Sequence, residues 1–159
     1  MPDPILHRRM PALDLVGEQR WPRAELGRVI MGMLDTMYRH DGIGLAAPQV
    51  GVEARIIVID IEQDRHQAKV LINPEITWAS LDREGITEAC LSVPGHRPLV
   101  ERAKAVKVHY YDAELFPSEL EATGLLAQCL QHEIDHLEGL TIDRFPRHAY
   151  PVDSLDHYC

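Results

Sequence analysis

The sequence lacks any uninterrupted apolar run near the ~18 residues that a membrane-spanning helix needs, so no membrane span is expected. Its opening stretch, MPDPILHRRM, also lacks the apolar core that follows the basic residues of a secretory signal, which predicts a cytoplasmic protein. Basic charge is scarce. Sixteen Lys and Arg against 25 Asp and Glu leave a net charge of −9, which argues against an extended phosphate-binding surface and makes nucleic acid an unexpected partner. At most a local basic patch around Arg97, Arg102, Lys104 and Lys107 is left. Cysteine is scarce too, and odd in number: Cys90, Cys129 and Cys159 show no framework spacing, so each reads as a thiol rather than half of a bridge. No repeat, low-complexity tract or linker divides the 159 residues. A single domain over 1–159 is expected, with a short tail from about residue 146 that is broken by Pro146 and Pro151.

What is present separates into helix and strand by period. Leu26, Val29, Ile30, Met33, Leu34, Met37 and Tyr38 recur at three-and-four spacing, after Pro22 and before Asp41-Gly42, which predicts an amphipathic helix. The β-branched runs RIIVIDI from Arg55 and VLINP from Val70 predict two strands, the second stopped by Asn73-Pro74. In AVKVHYY, Val106, Val108 and Tyr110 alternate with Lys107, His109 and Tyr111, the pattern of a sheet with one wet face. From Thr123 to Leu137 apolar residues surround the axis and Gly139 closes the segment, so this helix is expected to be buried.

That buried helix carries QHEIDHLEGL. His132 and His136 fall about 40° apart around the axis and roughly 6 Å apart along it, so both can reach one metal ion. Glu133 projects beside them, placed to move a proton rather than to bind the ion. The bland alternative is a pair of core histidines and a solvated glutamate, but burying these groups without partners is costly. A catalytic metal needs a third protein ligand, and the downstream sequence does not supply one. The extended protease pattern would put its third histidine at residue 142, which is Ile142, and no glutamate follows Glu138. Cys129 shares the histidines' stripe but lies about 10 Å of rise from His136, too far for both to bind one ion. The ligand is therefore expected from upstream.

Upstream, EACLSVPG offers Cys90 before the Pro94-Gly95 turn, and GIGLAAPQVG places small residues directly after the first helix, where backbone can approach a ligand closely. Taken singly, an inert buried cysteine and a plain structural loop explain these stretches equally well. In this order and spacing, GIGLAAPQ, EACLS and QHEIDH resemble the motifs G-x-G-x-A-A-x-Q, E-G-C-x-S and Q-H-E-x-D-H of the polypeptide deformylase family, over the chain from about the first helix to Phe145.

The resemblance implies an α+β fold in which antiparallel strands pack around the central helix bearing the two histidines. It implies Cys90, His132 and His136 as metal ligands, Glu133 as general acid and base, and Gln49 with the Leu91 backbone N–H as donors to the formyl oxygen. Ile43, Ile86, Leu125 and Cys129 would line the methionine pocket, and the backbone of Ile43 and Gly44 would pair with the peptide. The implied ion is Fe2+, with Ni2+, Co2+ or Zn2+ as substitutes. The implied partners are N-formylmethionyl peptides in a bacterial or phage-infected bacterial cell. A ribosome encounter would be transient, without the long C-terminal helix of many bacterial members. Two rival readings stand beside an active deformylase: a hydrolase of altered acyl or peptide preference, and a silent metalloprotein that only binds formylated peptides. Ala89 stands where the motif has glycine, and a left-handed backbone there would be strained by the added methyl. Gln128 stands where relatives often carry an apolar residue, which would alter the methionine pocket.

Overall fold

The computed structural model describes residues 3–146 and residue 159. The expected tail from about 146 otherwise lies outside the described residues. The stripe from Leu26 to Tyr38 forms the amphipathic helix α1, Arg23–Arg39. The buried histidine-bearing segment forms α2, Gly124–Leu137. Among the described residues, no helix is long and apolar enough to cross a membrane.

Between the helices lies an antiparallel sheet of five strands. Its chain-order elements are β1 (Gly44–Ala46), β2 (Ile56–Ile59), β3 (Lys69–Ala79), β6 (Ala105–Tyr111) and β7 (Pro117–Thr123), hydrogen-bonded in that order. A separate antiparallel pair joins β4 (Arg83–Thr87) to β5 (Leu99–Ala103). This is the expected antiparallel α+β arrangement. β2 shows why both helices are needed. Ile57 and Ile59 pack in the apolar cluster that holds Leu130 and Leu137 of α2, whereas Ile56 and Val58 pack with Leu26, Ile30, Met33 and Met37 of α1. Period-two alternation thus gives β2 two buried faces, which is why it reads as a continuous apolar run rather than an alternating one. Each such side chain contributes on the order of 2 kcal/mol by leaving water.

β3 corrects one expectation. Asn73-Pro74 does not stop the strand, which continues to Ala79. Instead the pairing with β6 shifts register between Ile72 and Glu75, with Asn73 at φ 51. Pro74 lacks an N–H for the ladder, and the bulge absorbs that defect. The Asn73 side chain in turn accepts from Leu13 N–H at 2.8 Å and donates to the Leu13 oxygen at 2.9 Å, fastening the N-terminal arm to the sheet. β7 escaped the sequence reading because it is short of apolar residues, yet Leu120 and Ala122 pair with Val108 and Val106 while Glu121 meets Lys107 at 2.7 Å on the wet face. Arg102 does not join a surface basic patch: it is buried, for reasons given below.

The end of α2 is fixed by a Schellman closure. Leu140 N–H donates to the Asp135 oxygen at 2.9 Å and Gly139 N–H to the His136 oxygen at 3.2 Å, with Gly139 at φ 75. A β-carbon at Gly139 would also stand 2.8 Å from backbone carbons of His7 and Arg8. Gly139→Ala therefore combines left-handed strain with a backbone clash, and the expected loss is about 2 kcal/mol or more of unfolding free energy, measured by urea denaturation.

Candidate active site

The helix pitch brings His132, Glu133 and His136 of α2 to the core, all nearly or wholly buried. The two imidazole rings lie 5.0 Å apart between centroids. Cys90 approaches from the segment after β4, and its Sγ lies 3.3 Å from His136 Nε2. Ligand atoms of Cys90, His132 and His136 all fall within 4.8 Å of one another, so the fold brings the upstream thiol to the two histidines. A one-turn reversal aims this segment: Val93 N–H donates to the Cys90 oxygen at 3.1 Å.

Several buried polar atoms here have no hydrogen-bond partner among the described residues: His132 Nε2, His136 Nδ1 and both carboxylate oxygens of Glu133. Orphaned groups in a dry core cost free energy, and their clustering marks a place built for something else to bind or react. A sulfur and two imidazoles suit a divalent transition metal of borderline softness. Burial pushes the Glu133 carboxyl up to about 7, which suits a group that must both take and return a proton near neutrality. Burial likewise holds His136 well below its ordinary value, keeping that imidazole neutral and able to ligate.

Residues that the sequence reading passed over hold these groups in place. Glu88 Oε2 lies 2.8 Å from His132 Nδ1, which turns Nε2 toward Cys90 and His136. Arg102 donates to both oxygens of Glu88, at 2.6 and 2.9 Å, and to Asp135 Oδ2 at 2.7 Å. Gln131 binds α2 to β5, accepting from Ala103 N–H at 3.0 Å and donating to the Ala103 oxygen at 2.9 Å. The signal for Glu88, Gln131 and Asp135 was present, since all three fall inside the motif stretches quoted above. Their role was not legible, because it depends on Arg102 arriving from β5.

Gln49 lies on the one-turn 3-10 helix Ala47–Val50 that follows β1. Its side-chain oxygen accepts from Ala46 N–H at 2.8 Å, and its Nε2 donates to Ser92 Oγ at 3.0 Å and points toward Cys90 Sγ at 3.7 Å. β1 is an edge strand of the five-stranded sheet. A β-carbon at Gly44 would stand 2.7 Å from both Cys129 Sγ and Glu133 Oε1, so only glycine admits this approach. Ile43 and Cys129 share one buried cluster, with Leu125 packed against it. Ile86 stands apart on β4, half-buried and paired with Val100. Ala89 is not among the residues with positive φ, so its methyl carries no left-handed strain, and the expectation of strain at this position is withdrawn.

Glu88 carries a pH signature. Burial acts to raise its carboxyl, but hydrogen bonds from Arg102 and His132 outweigh it and bring the carboxyl from the ordinary 4.5 to about 2. The depressed value means a stabilisation fully present above pH 4.5 and lost as pH falls toward 2, on the order of 3 kcal/mol. Glu88→Gln should therefore lower the urea stability of the metal-free protein at pH 7, and the gap to wild type should close as pH falls toward 2. A gap independent of pH would show that the ionised carboxylate is not what stabilises.

Comparison with known proteins gives the family and the fold. The polypeptide deformylase family profile matches residues 1–149. The chain is similar to a peptide deformylase from Legionella pneumophila, at 40% identity and TM-score 0.83 over 92% of this chain and 82% of that one. It is similar to a peptide deformylase from Synechococcus elongatus solved with actinonin, at 44% identity and TM-score 0.80 over 92% and 76%. It is also similar to a probable peptide deformylase from Synechococcus phage S-SSM7, at 35% identity and TM-score 0.82 over 91% and 95%. Matched over nearly its whole length in both sequence and fold, the chain belongs to the polypeptide deformylase family.

Proposed function

We propose that this chain hydrolyses the N-formyl group from the N-terminal methionine of nascent polypeptides and releases formate, with one divalent ion held by Cys90, His132 and His136. The supporting observation is the buried Glu133 carboxylate, which has no hydrogen-bond partner and stands on the helix that presents both histidines. A structural glutamate in a dry core would be paired, as Glu88 is. When bound, the ion supplies Lewis-acid activation of water and of a carbonyl.

The chain's own groups supply the rest. The backbone of Ile43 and Gly44 pairs with the extended peptide, and Ile43 and Cys129, which share one buried cluster, receive the methionine side chain together with Leu125 packed against it. Glu133 takes a proton from water as it attacks the formyl carbon. Gln49 Nε2 and the Leu91 N–H donate to the oxygen on which negative charge develops, each donor contributing about 3 kcal/mol in comparable sites. Glu133 then returns the proton to the departing amine. Ser92 has a part that the sequence did not suggest: by accepting from Gln49 Nε2, it aims the amide across the site. The enzyme acts in the cytoplasm, where formylated chains are made.

Formate release from formyl-Met-Ala-Ser by anaerobically metal-loaded protein tests this function, and its absence would leave only a peptide-binding metalloprotein. Ligand and proton carrier should separate in the same assay. Cys90→Ala should lose the ion on gel filtration and Cys129→Ala should keep it, whereas Glu133→Ala should keep the ion and lose at least about a hundredfold in kcat. A Glu133→Ala protein that loses metal in step with activity would make Glu133 a ligand.

We infer Fe2+ as the resident ion, with Ni2+, Co2+ and Zn2+ as substitutes. A ferrous centre on a thiolate offers both metal and sulfur to oxygen, so the iron form should decay in aerated buffer while the nickel form persists. Equal half-lives would count against iron.

A further inference from the structure

Cys159 is the one cysteine that the proposed mechanism does not use, yet it is buried beside the candidate active site. Its backbone N–H donates to the Ala89 oxygen at 3.2 Å, and its backbone oxygen accepts from Leu91 N–H at 3.1 Å. Bonding to the residues on either side of Cys90 is the pattern of a strand laid parallel to that segment. The side chain enters the cluster of Ile43 and Cys129, with its Sγ 3.4 Å from Cys129 Sγ. Its Sγ also lies within 4.8 Å of a Glu133 carboxylate oxygen. Only 4% of the residue is exposed.

These contacts duplicate those assigned above to substrate. The Leu91 N–H is the donor proposed for the formyl oxygen, and here it is already taken by a backbone oxygen. The Ile43 and Cys129 pocket is the one proposed for a sulfur-bearing methionine side chain, and here it holds a shorter sulfur-bearing one. One N–H cannot make both bonds at full strength, and the pocket cannot hold both side chains. We propose that Cys159 is an intramolecular occupant of the peptide groove, which an N-formylmethionyl peptide must displace before it can be deformylated. This rests on the groove being the one assigned to the peptide above.

The physical consequence is a competition between a tethered occupant and a free one. Cys159 offers two backbone hydrogen bonds and one small side chain, so its intrinsic affinity is low, but tethering gives it a high effective concentration. If only a fraction of molecules has an open groove, the apparent substrate affinity falls by that fraction while the bound complex reacts normally. KM rises and kcat does not.

Two measurements on the nickel-loaded protein test the proposal. The first compares the full chain with a chain ended after residue 149, which keeps the whole family-matched span. Removing the occupant should lower KM for formyl-Met-Ala-Ser by at least about threefold, with kcat within about twofold. The second follows alkylation of Cys159 by iodoacetamide, mapped by mass spectrometry. The thiol should react at least about tenfold more slowly than in the urea-unfolded chain, and saturating Met-Ala-Ser should release that protection. An unchanged KM on truncation, or a Cys159 thiol as reactive as in urea, overturns the proposal. If the full chain releases no formate, the deformylase reading fails on its own, and protection of Cys159 with its release by Met-Ala-Ser still decides whether the groove is self-occupied.

Discussion

A hydrogen bond on the second nitrogen of a buried imidazole fixes the ring for metal ligation, and for His132 in this protein that hold is the carboxylate of Glu88. A buried carboxylate is itself costly, so it needs a cation, and Arg102 answers it with two hydrogen bonds. Arg102 in turn is tied to Asp135, one turn of α2 beyond the histidine it indirectly orients. The chain His132–Glu88–Arg102–Asp135 thus links the segment after β4, strand β5 and helix α2. Its electrostatic closure lets a polar site exist in a core whose other members are mostly aliphatic.

The same closure leaves Glu133 out, and the contrast between the two glutamates is the chemical content of the site. Glu88 is paired and held at about 2, whereas Glu133 is equally buried, has no hydrogen-bond partner and rises to about 7. One carboxylate is fixed as an anion and the other is left able to exchange a proton, a division of labour set by neighbours rather than by residue type. Close backbone approach completes the arrangement: Gly44 lets the edge of β1 come against Cys129 and Glu133, where any side chain would intrude.

Self-occupation by Cys159 fits this economy of space. The groove proposed for the peptide would run between the edge of β1 and the segment after β4, and strand edges attract whatever extended chain is near. The Leu91 N–H on that segment is answered by the backbone oxygen of Cys159.

Much of this was readable in the sequence, for local reasons. Periodicity is a property of neighbouring residues, so α1, β2, β6 and α2 could be read directly, and the i, i+4 spacing of His132 and His136 brings them together on any helix. The motif order GIGLAAPQ, EACLS, QHEIDH likewise carried the family and its expected ligand set. Other features depended on segments far apart in the chain. Asn73-Pro74 reads locally as a stop, and only pairing with β6 on one side and the Leu13 backbone on the other turns it into a bulge within β3. Arg102 reads as surface charge until β5 delivers it to Glu88. Ala89 reads as a strained departure until its backbone is seen to lie outside the left-handed region. Cys159 reads as a spare thiol until it lies against Cys129 and between the backbone groups of Ala89 and Leu91. The sequence alone determined which residue types could do the chemistry and which elements carry them. Only the tertiary structure decided which buried charges are paired and which groove is already filled, because those outcomes follow from contacts between residues that the sequence holds far apart.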